Sequence, residues 1–380
     1  MRFLINKDQL IAGISTVEKF VPSKSTVSIL SGIKFHIEDD VLHLNANNLE
    51  MGIDYKISGE TDIIDIQEDG SIVIGSKILS EIVRKMPEGM VEFKTDENIA
   101  LISSGDFNMK LPCFDAEDFP EISKIDRQEC IVLKQGLFKE MIKQTIFARA
   151  DETTSRPQLT GILIDYKDNV LNMVALDGYR VAWRYEEQDP EATSFSNDFK
   201  VIVPSNTMME ISRIFVDDDE ADFELYADKN RVEFKTENIL ISSAILEGDF
   251  IDYARVMDVA PDTVVEVDTT SLQWAIERAN IIAREGNKNN LIIFDIKNNT
   301  IEVKADTELG SISDKVLCNT EGEELIIAFN ARFFIDALRT IDSSKIKLSF
   351  SGSTGPCIIT PVEAENHKNL ILPVRLGDDM

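Results

Sequence analysis

The chain has 380 residues, of which 43% are hydrophobic and 28% are charged, and its formal net charge at neutral pH is −29. This composition is typical of a folded globular protein and excludes an intrinsically disordered chain. No run of roughly 18 apolar residues predicts a membrane span, and the N-terminus lacks the apolar core of a signal peptide. The four cysteines are scattered without a CxxC pair, as free thiols of a reducing compartment are. We therefore expect a cytoplasmic protein.

The first predicted elements make up one mixed helix and strand unit. A helix opens near Asp8, and residues 33–37 and 41–45 alternate apolar and polar side chains across a turn of hairpin length. A short apolar strand at 72–74 then runs into a second helix at Ser76. The helices carry apolar residues at helical spacing, so the unit reads as two amphipathic helices on antiparallel sheet.

The same order of elements returns twice along the chain. Helices open again near Gln135 and Thr270, and the strand-to-helix boundary recurs at Ser205 and Asn330, after 129 and 125 residues. Ser and Asn at these boundaries are predicted to be N-caps, because their side-chain oxygens accept from free N–H groups of the first helical turn. The sequence predicts an α+β protein of three tandem domains, with bounds 1–125, 126–258 and 259–380.

Positive charge is concentrated in the predicted helices although the chain as a whole is acidic. Six helical windows hold 16 of the 39 Lys and Arg residues but only 8 of the 68 acidic residues: 7–24, 76–85, 134–149, 205–214, 271–288 and 330–340. A basic helical layer inside an acidic shell favours contact with phosphates on one side of the molecule.

Motifs for catalysis are absent from the sequence. There is no phosphate-binding loop, nucleophile elbow, zinc-protease motif or dinucleotide fingerprint, so neither a cofactor nor a metal is expected. His36 and His43 are interpreted as surface residues, and the acidic runs 217–220 and 321–324 as solvated loops. A non-catalytic binding protein is the resulting interpretation. Two alternatives stay open: a repeat scaffold that assembles proteins and has no nucleic-acid partner, and a metal-dependent hydrolase that uses Asp217, Asp218 and Asp219.

Three short segments in combination carry a family resemblance: Phe119-Pro120-Glu121, the hairpin 176–181 (LDGYRV), and 372–376 (LPVRL) near the end. With them, and in register over essentially its whole length, the chain resembles the bacterial DNA sliding clamp, the beta subunit of DNA polymerase III. The resemblance implies a processivity factor without catalytic activity. It also implies a head-to-tail homodimer that forms a six-domain ring, with helices lining a hole around duplex DNA. The implied partners are double-stranded DNA, the replicative polymerase catalytic subunit, an ATP-dependent clamp loader and other proteins with clamp-binding motifs.

The resemblance also implies three sets of functional residues. The expected DNA-facing cations are Lys24, Lys77, Arg84, Lys85, Lys139, Lys143, Arg149, Arg278, Arg284 and Arg339. The expected groove for partner peptides, between the second and third domains, comprises Leu159, Thr160, Leu176, Gly178, Tyr179, Arg180, Val181, Arg255, Val256, Leu370, Leu372, Pro373, Val374, Arg375 and Leu376. The expected dimer contact joins Phe107 and Met109 of the first domain to Ile281 and Ile282 of the third.

The chain departs from the family pattern at three places. Ser205-Asn206 stands where basic residues are frequent, Ile251 where proline is frequent, and the acidic segment 377–380 follows the usual family end. Two groove segments also have purely structural interpretations. Asp177-Gly178 fits a type I′ hairpin turn, and 372–374 fits a terminal edge strand, where proline is tolerated.

Overall fold

A computed structural model describes residues 1–122, 125–127, 129–190, 198–286 and 290–375. The first third of the chain contains the strands β1 (Arg2–Asn6), β2 (Gly32–Glu38), β3 (Val41–Asn47), β4 (Met51–Ile57), β5 (Ile64–Glu68), β6 (Gly70–Gly75), β7 (Met90–Asp96), β8 (Ile99–Ser104) and β9 (Phe107–Asp115), with the helices α1 (Lys7–Val17) and α2 (Ser76–Val83). Short 3-10 turns lie at Glu18–Phe20, Ser28–Ser31 and Ala116–Asp118.

The middle third contains β10 (Ile131–Lys134), β11 (Gly161–Lys167), β12 (Val170–Leu176), β13 (Arg180–Glu187), β14 (Phe199–Pro204), β15 (Asp222–Ala227), β16 (Arg231–Lys235) and β17 (Ile239–Ala244), with α3 (Gln135–Thr145), α4 (Ser205–Ile214) and α5 (Tyr253–Met257). The last third contains β18 (Thr263–Asp268), β19 (Leu291–Lys297), β20 (Thr300–Thr307), β21 (Gly310–Gly322), β22 (Leu325–Asn330), β23 (Lys345–Phe350), β24 (Cys357–Pro361) and β25 (His367–Ile371), with α6 (Thr269–Gly286) and α7 (Ala331–Leu338). Of the described residues, none belongs to a helix that is long and apolar enough to cross a membrane.

The chain forms two compact units, each built around one antiparallel sheet. Unit 1 contains Met1–Gly136 and Met209–Ile245, and its 13-stranded sheet runs β10-β15-β16-β17-β4-β3-β2-β6-β9-β8-β7-β1-β5. Unit 2 contains Leu137–Pro190 together with residues 198–208 and 246–375, and its 12-stranded sheet runs β14-β11-β12-β13-β25-β24-β23-β18-β21-β20-β19-β22. The middle repeat therefore contributes strands to both sheets.

Each sheet joins two repeats through the same pair of strands. In unit 1 the last strand of the second repeat, β17, pairs with the third hairpin strand of the first, β4, with Ile241 opposite Ile53. In unit 2 β25 pairs with β13 in the same way, with Asn369 opposite Ala182. Main-chain hydrogen bonds thus continue each sheet across a domain boundary.

The helices pack on the sheets through one apolar face, as their residue spacing predicts. In α6 the buried apolar residues are Leu272, Ala275, Ile276, Ala279 and Ala283, at helical intervals. They belong to a core in which the rings of Phe329 and Phe334 pack edge to face, with their centroids 4.9 Å apart. Burial of these apolar surfaces is the main source of stability of such a layer.

Each repeat carries a two-residue hairpin turn where the sequence predicts one. In the first repeat Asp39 and Asp40 both have positive φ, and so do the equivalent pairs 168–169 and 298–299. A turn of this kind matches the right-handed twist of the strands and favours Asn and Asp. The three turns are equivalent positions from which the residues of the repeats can be aligned.

Only part of the N-cap prediction is correct. Asn330 caps α7 by accepting a hydrogen bond from the N–H of Arg332. Ser76 is instead the first residue of α2, whose cap is Gly75 without a side-chain hydrogen bond. Ser205 is likewise the first residue of α4. The buried Ser76 side chain belongs to the packed side of the helix, which explains why it does not cap.

Candidate functional site

An apolar cluster in unit 2 unites four of the residues predicted for the peptide groove. Leu159, Leu176, Val181 and Leu370 are buried in one cluster with residues of α5. The strand pairing explains this, because Val181 of β13 lies directly opposite Leu370 of β25. These residues form a buried apolar base, and little of their surface is exposed to solvent.

The predicted groove residues around this base are more accessible. Tyr179 is 64% exposed, Leu372 40% and Val256 37%, which leaves three large apolar side chains in water. The other accessible members are Thr160, Gly178, Arg255, Pro373, Val374 and Arg375, half-buried or exposed. Exposed apolar side chains over a rigid apolar base are typical of a site that takes hydrophobic anchors.

The segment after β25 is held by main-chain hydrogen bonds to two repeats. The N–H of Leu372 donates to the carbonyl of Tyr179 at 2.9 Å, and the N–H of Val374 donates to the carbonyl of Ala328 at 2.8 Å. The edge-strand interpretation of 372–374 is wrong, since β25 ends at Ile371. Leu376 and the acidic segment 377–380 lie outside the described residues.

Arg180 is occupied by intramolecular contacts. Its guanidinium donates to Asp177 at 3.0 Å, to Asp336 at 2.7 Å and to the carbonyl of Phe147 at 2.7 Å. It also lies 4.7 Å from the centre of the Phe333 ring, close enough for a cation–π contact. These contacts connect the β12–β13 loop to α7. The place of Arg180 in the peptide groove stays a prediction.

The β12–β13 loop is not a type I′ turn. Gly178 has φ +93°, but Tyr179 has no positive φ, whereas a type I′ turn needs both central residues in that region. The Asp177 carboxylate instead accepts from the N–H groups of Tyr179 and Arg180 at 2.9 and 3.1 Å. This geometry presents the Tyr179 ring to solvent, stacked on Phe333 at 6.3 Å.

A polar cavity of about 490 Å³ adjoins Tyr179 and Arg180. Arg149 and Arg332 line it without a carboxylate partner among the described residues. Asn330 and Phe333 of the α7 N-terminus line it as well, and sequence reasoning missed both as site residues. Their position at the third strand-to-helix boundary is the signal that could have identified them.

Two aromatic residues at this junction were also missed. Tyr253, the first residue of α5, packs edge to face on Trp183 at 5.3 Å, and its hydroxyl donates to Asp165 at 2.9 Å. Burial and the Asp165 carboxylate raise the pKa of Tyr253, so its phenol stays protonated. The helix α5 itself was not predicted, because five residues are too few to show a periodicity.

The ten cations predicted to face DNA divide into three groups. Four of the arginines form ion pairs: Arg84 with Glu18, Arg278 with Asp314, Arg284 with Glu285, and Arg339 with Glu277. Lys24, Lys77, Lys85 and Lys143 are exposed and form no ion pair with any described residue. Lys139 and Arg149 are half-buried, and Arg149 donates to the carbonyl of Ala150. The four lysines have the most charge available for phosphates.

The residues predicted for the dimer contact occupy two separate elements. Phe107 and Met109 are half-buried on β9. Ile281 of α6 is 54% exposed, while Ile282 packs against the core of the third repeat. Within the residues that the structure describes, no group of three His, Cys, Asp or Glu side chains is arranged to hold a metal ion.

Comparison with known proteins agrees with this architecture. Family models match residues 1–123, 132–252 and 255–375, and they describe the N-terminal, central and C-terminal domains of the DNA polymerase III beta subunit. The beta sliding clamp of Bacillus subtilis is 32% identical over 383 residues, covering 99% of this chain and all of that protein. The chain belongs to the DNA polymerase III beta subunit family. Its α+β fold of three tandem clamp domains follows from the same matches.

Solved structures of family members have the same fold. A putative DNA polymerase III beta subunit from Eubacterium rectale superposes with a TM-score of 0.92 at 33% identity. The DNA polymerase sliding clamp from Bacillus subtilis superposes with a TM-score of 0.94 at 31% identity. In both comparisons 99% of this chain and 100% of the other are covered.

Proposed function

We propose that the protein is a DNA sliding clamp: a non-catalytic processivity factor that encircles duplex DNA and tethers polymerases to it. The proposal rests on two strands, β9 and β21, at which the repeat predicts a further strand pairing. Both junctions within the chain join the last strand of one repeat to the third hairpin strand of the preceding one. Among the strands that the structure describes, only β9 and β21 remain to make a third junction of this kind.

The open edges support a head-to-tail dimer. Residues 107–112 of β9 pair only with β8, and residues 310–317 of β21 pair only with β20, among the described strands. If β9 of one chain pairs with β21 of a second, two heterologous junctions close a ring of six domains. Pairing would also remove the aggregation risk of two unpaired edges.

The internal junctions predict the register of this contact. We align β9 with β17 and β21 with β4 by counting from their hairpin turns. The β17–β4 pairing then places Met109 opposite Ile312 and Asn108 opposite Ser313. Met109 and Ile312 are both half-buried, and Ile312 packs against the same core as Ile282. The dimer residues proposed from the sequence thus acquire a partner strand.

A disulfide across the seam tests both the dimer and the ring. Residues directly opposite on antiparallel strands have Cα atoms about 4.5–5.5 Å apart, which suits a disulfide. The variant Asn108→Cys/Ser313→Cys should oxidise to a covalent dimer, whereas the mismatched pair Asn108→Cys/Lys315→Cys should not. Oxidised rings loaded onto circular DNA should stay bound in denaturant and leave when the DNA is linearised. Equal crosslinking of both pairs, or loss from circular DNA, would exclude the proposal.

We propose further that partner peptides of the replicative polymerase, the clamp loader and other replication proteins dock at the groove in unit 2. The accessible side chains of Tyr179, Val256 and Leu372 over the buried base support this assignment. Burying one leucine contributes about 1.5–3 kcal/mol, so Leu372→Ala should weaken a polymerase-derived peptide at least about tenfold. Val362→Ala is the matched control, because Val362 is 41% exposed outside the groove. Unchanged affinity after deletion of 372–376 would contradict the assignment.

The location follows from the proposed role. A clamp on the bacterial chromosome works in the cytoplasm, and we propose that compartment for this chain. Fractionation of cells that express the tagged protein should recover it with the nucleoid and the soluble fraction.

A further inference from the structure

A second cavity lies in unit 1, over the sheet face formed by β2, β3, β4 and β17. It has a volume of about 260 Å³, and its lining includes His36, His43, Asp54, Ile122 and Leu240. His43 Nδ1 lies 3.0 Å from both oxygens of Asp54, and the two histidine rings are 6.0 Å apart. None of these residues belongs to the groove or the cations discussed above.

The internal repeat shows what the equivalent place in unit 2 contains. Counting from the two-residue turns, His36 corresponds to Asp165, and Asp54 corresponds to Trp183. The segment Asp118–Ile122 aligns with Asp249–Tyr253, so Ile122 corresponds to Tyr253. In unit 2 the phenol ring of Tyr253 covers this sheet face and reaches Asp165.

Ile122 cannot cover the corresponding face in unit 1. Its side chain packs on Gly52, where an added Cβ would lie 2.5 Å from Ile122 Cδ1, and it has neither a ring nor a hydroxyl. Gly52 occupies the position that Val181 holds in unit 2. Because Gly52 has no side chain, the Ile122 side chain lies directly against the strand. The space that Tyr253 fills in one unit is therefore a cavity in the other.

An unsatisfied hydrogen-bonding atom marks the far end of this cavity. His36 Nδ1 is shielded from solvent and has no hydrogen-bond partner among the described residues. With its hydrogen on Nε2, which lies 3.5 Å from Glu38, the His36 ring presents Nδ1 as an acceptor. A buried acceptor without a partner is costly, and a hydroxyl donor would satisfy it.

We propose that this cavity binds a tyrosine side chain of a partner protein, in the pose that Tyr253 adopts in unit 2. The phenol O–H would donate to His36 Nδ1, and the ring would lie over Asp54 and Leu240. A smaller recess on the other side of Ile122, lined by Leu49 and Met51, continues the surface and accommodates a following apolar residue. Leu49 occupies the place of Gly178 in the groove of unit 2, so the whole surface is the internal counterpart of that groove. The choice of a protein segment as occupant rests on the proposed docking function, whereas the phenol chemistry rests on the cavity alone.

The three histidines of the chain make a direct test possible. The full-length protein with 13C-labelled histidine rings is titrated with N-acetyltyrosinamide and with N-acetylphenylalaninamide, and His36→Gln assigns the His36 signal. The tyrosine amide should shift the His36 and His43 signals saturably and leave His367 unchanged. The phenylalanine amide lacks the donor and should cause much smaller shifts. Equal shifts from both amides would show that the phenol donor is not recognised, and no shift from either at millimolar concentration would show that the cavity binds no aromatic side chain. Either result would overturn the proposal.

A variant copied from the chain's own repeat provides the matched control. Ile122→Tyr should fill the cavity as Tyr253 does and weaken the tyrosine amide at least about tenfold, while Ile122→Leu should leave binding intact. Binding unchanged in Ile122→Tyr would contradict the assignment.

Two further measurements distinguish this site from the proposed groove and test whether the bound phenol belongs to a protein segment. Leu372→Ala should leave the tyrosine response unchanged, so failure of the groove and failure of this site give different results. A Tyr-Leu dipeptide amide should bind more tightly than the tyrosine amide, because its leucine reaches the recess beside Leu49. Equal affinity would overturn the assignment to a protein segment.

Discussion

Buried polar side chains at the junction of unit 2 have charge states set by their surroundings. His367 is 2% exposed, and its Nε2 lies 3.1 Å from Asn369 Nδ2. Burial and the nearby Arg184 lower the pKa of His367 from 6.5 to about 4. The folded chain therefore holds this histidine neutral at a pH where the unfolded chain protonates it.

This difference predicts a pH dependence of stability. Between pH 6.5 and 4 the unfolded state binds a proton at His367 that the folded state does not, so the free energy of unfolding falls as the pH is lowered through this window. Above pH 6.5 the contribution is complete. From pH 7 to pH 4 the wild type should lose about 3 kcal/mol more than His367→Gln. Urea titrations followed by tryptophan fluorescence measure the difference, and parallel pH profiles of the two proteins would refute it.

A second residue-scale prediction concerns an ion pair in unit 1 whose carboxylate is buried. Glu233 is fully buried on β16, and Arg127 donates to it at 2.6 Å. Arg127→Ala leaves that carboxylate without its charge partner and should cost about 3–5 kcal/mol. Arg127→Ala/Glu233→Gln removes the unpaired charge and should recover part of the loss in a denaturant titration. No recovery would show that the ion pair is not the cause.

At the scale of the element, the β12–β13 loop depends on one left-handed residue. Gly178 has φ +93° and no atom within 4 Å of the position of a Cβ, so a substitution there is strained by the backbone and not by a clash. Asn tolerates this region, and a β-branched residue does not. Gly178→Val should lower the free energy of unfolding by about 1–2 kcal/mol, and Gly178→Asn by less than about 1 kcal/mol. Similar losses from both, measured by thermal unfolding, would contradict this explanation.

At the scale of the whole molecule, the net charge of −29 requires that DNA meet the clamp only on selected faces. Lys77 and Lys85 form no ion pair with a described residue. They should contribute more to phosphate attraction than Arg278 and Arg339, which neutralise carboxylates of their own unit. Lys77→Ala/Lys85→Ala should reduce the slope of log affinity against log salt by about 1 for each contact removed. Arg278→Ala/Arg339→Ala should reduce it less. Fluorescence titrations of labelled duplex across salt concentrations compare the two, and the reverse order would refute the assignment.

Much of the fold was predictable because its signals are local. The helix starts near Asp8, Gln135 and Thr270, the hairpin turns, and the repeat spacing all depend on neighbouring residues, and the structure agrees with them. The capping role of Ser76 failed because packing against the sheet competes with capping, and a short sequence window does not show that competition.

The sequence predicted the segments of the proposed groove, but not the exposure and contacts of their residues. Tyr179 and Leu372 proved exposed, whereas Arg180 proved to be bound to Asp177 and Asp336. The distinction depends on Asp336, which lies 156 residues away from Arg180 in the chain. No spacing rule in the sequence connects two residues at that separation.

The sequence by itself determined the order of helices and strands, the threefold repeat, the basic character of the helices and the family. Those properties follow from local periodicity, turn chemistry and composition. The tertiary structure alone decided which strands join one repeat to the next, which cations form ion pairs with described carboxylates, and that Ile122 leaves open the space that Tyr253 fills. Each of these depends on residues that are distant along the chain and adjacent only after folding, since strand pairing, ion pairing and cavity shape are set by distances in space.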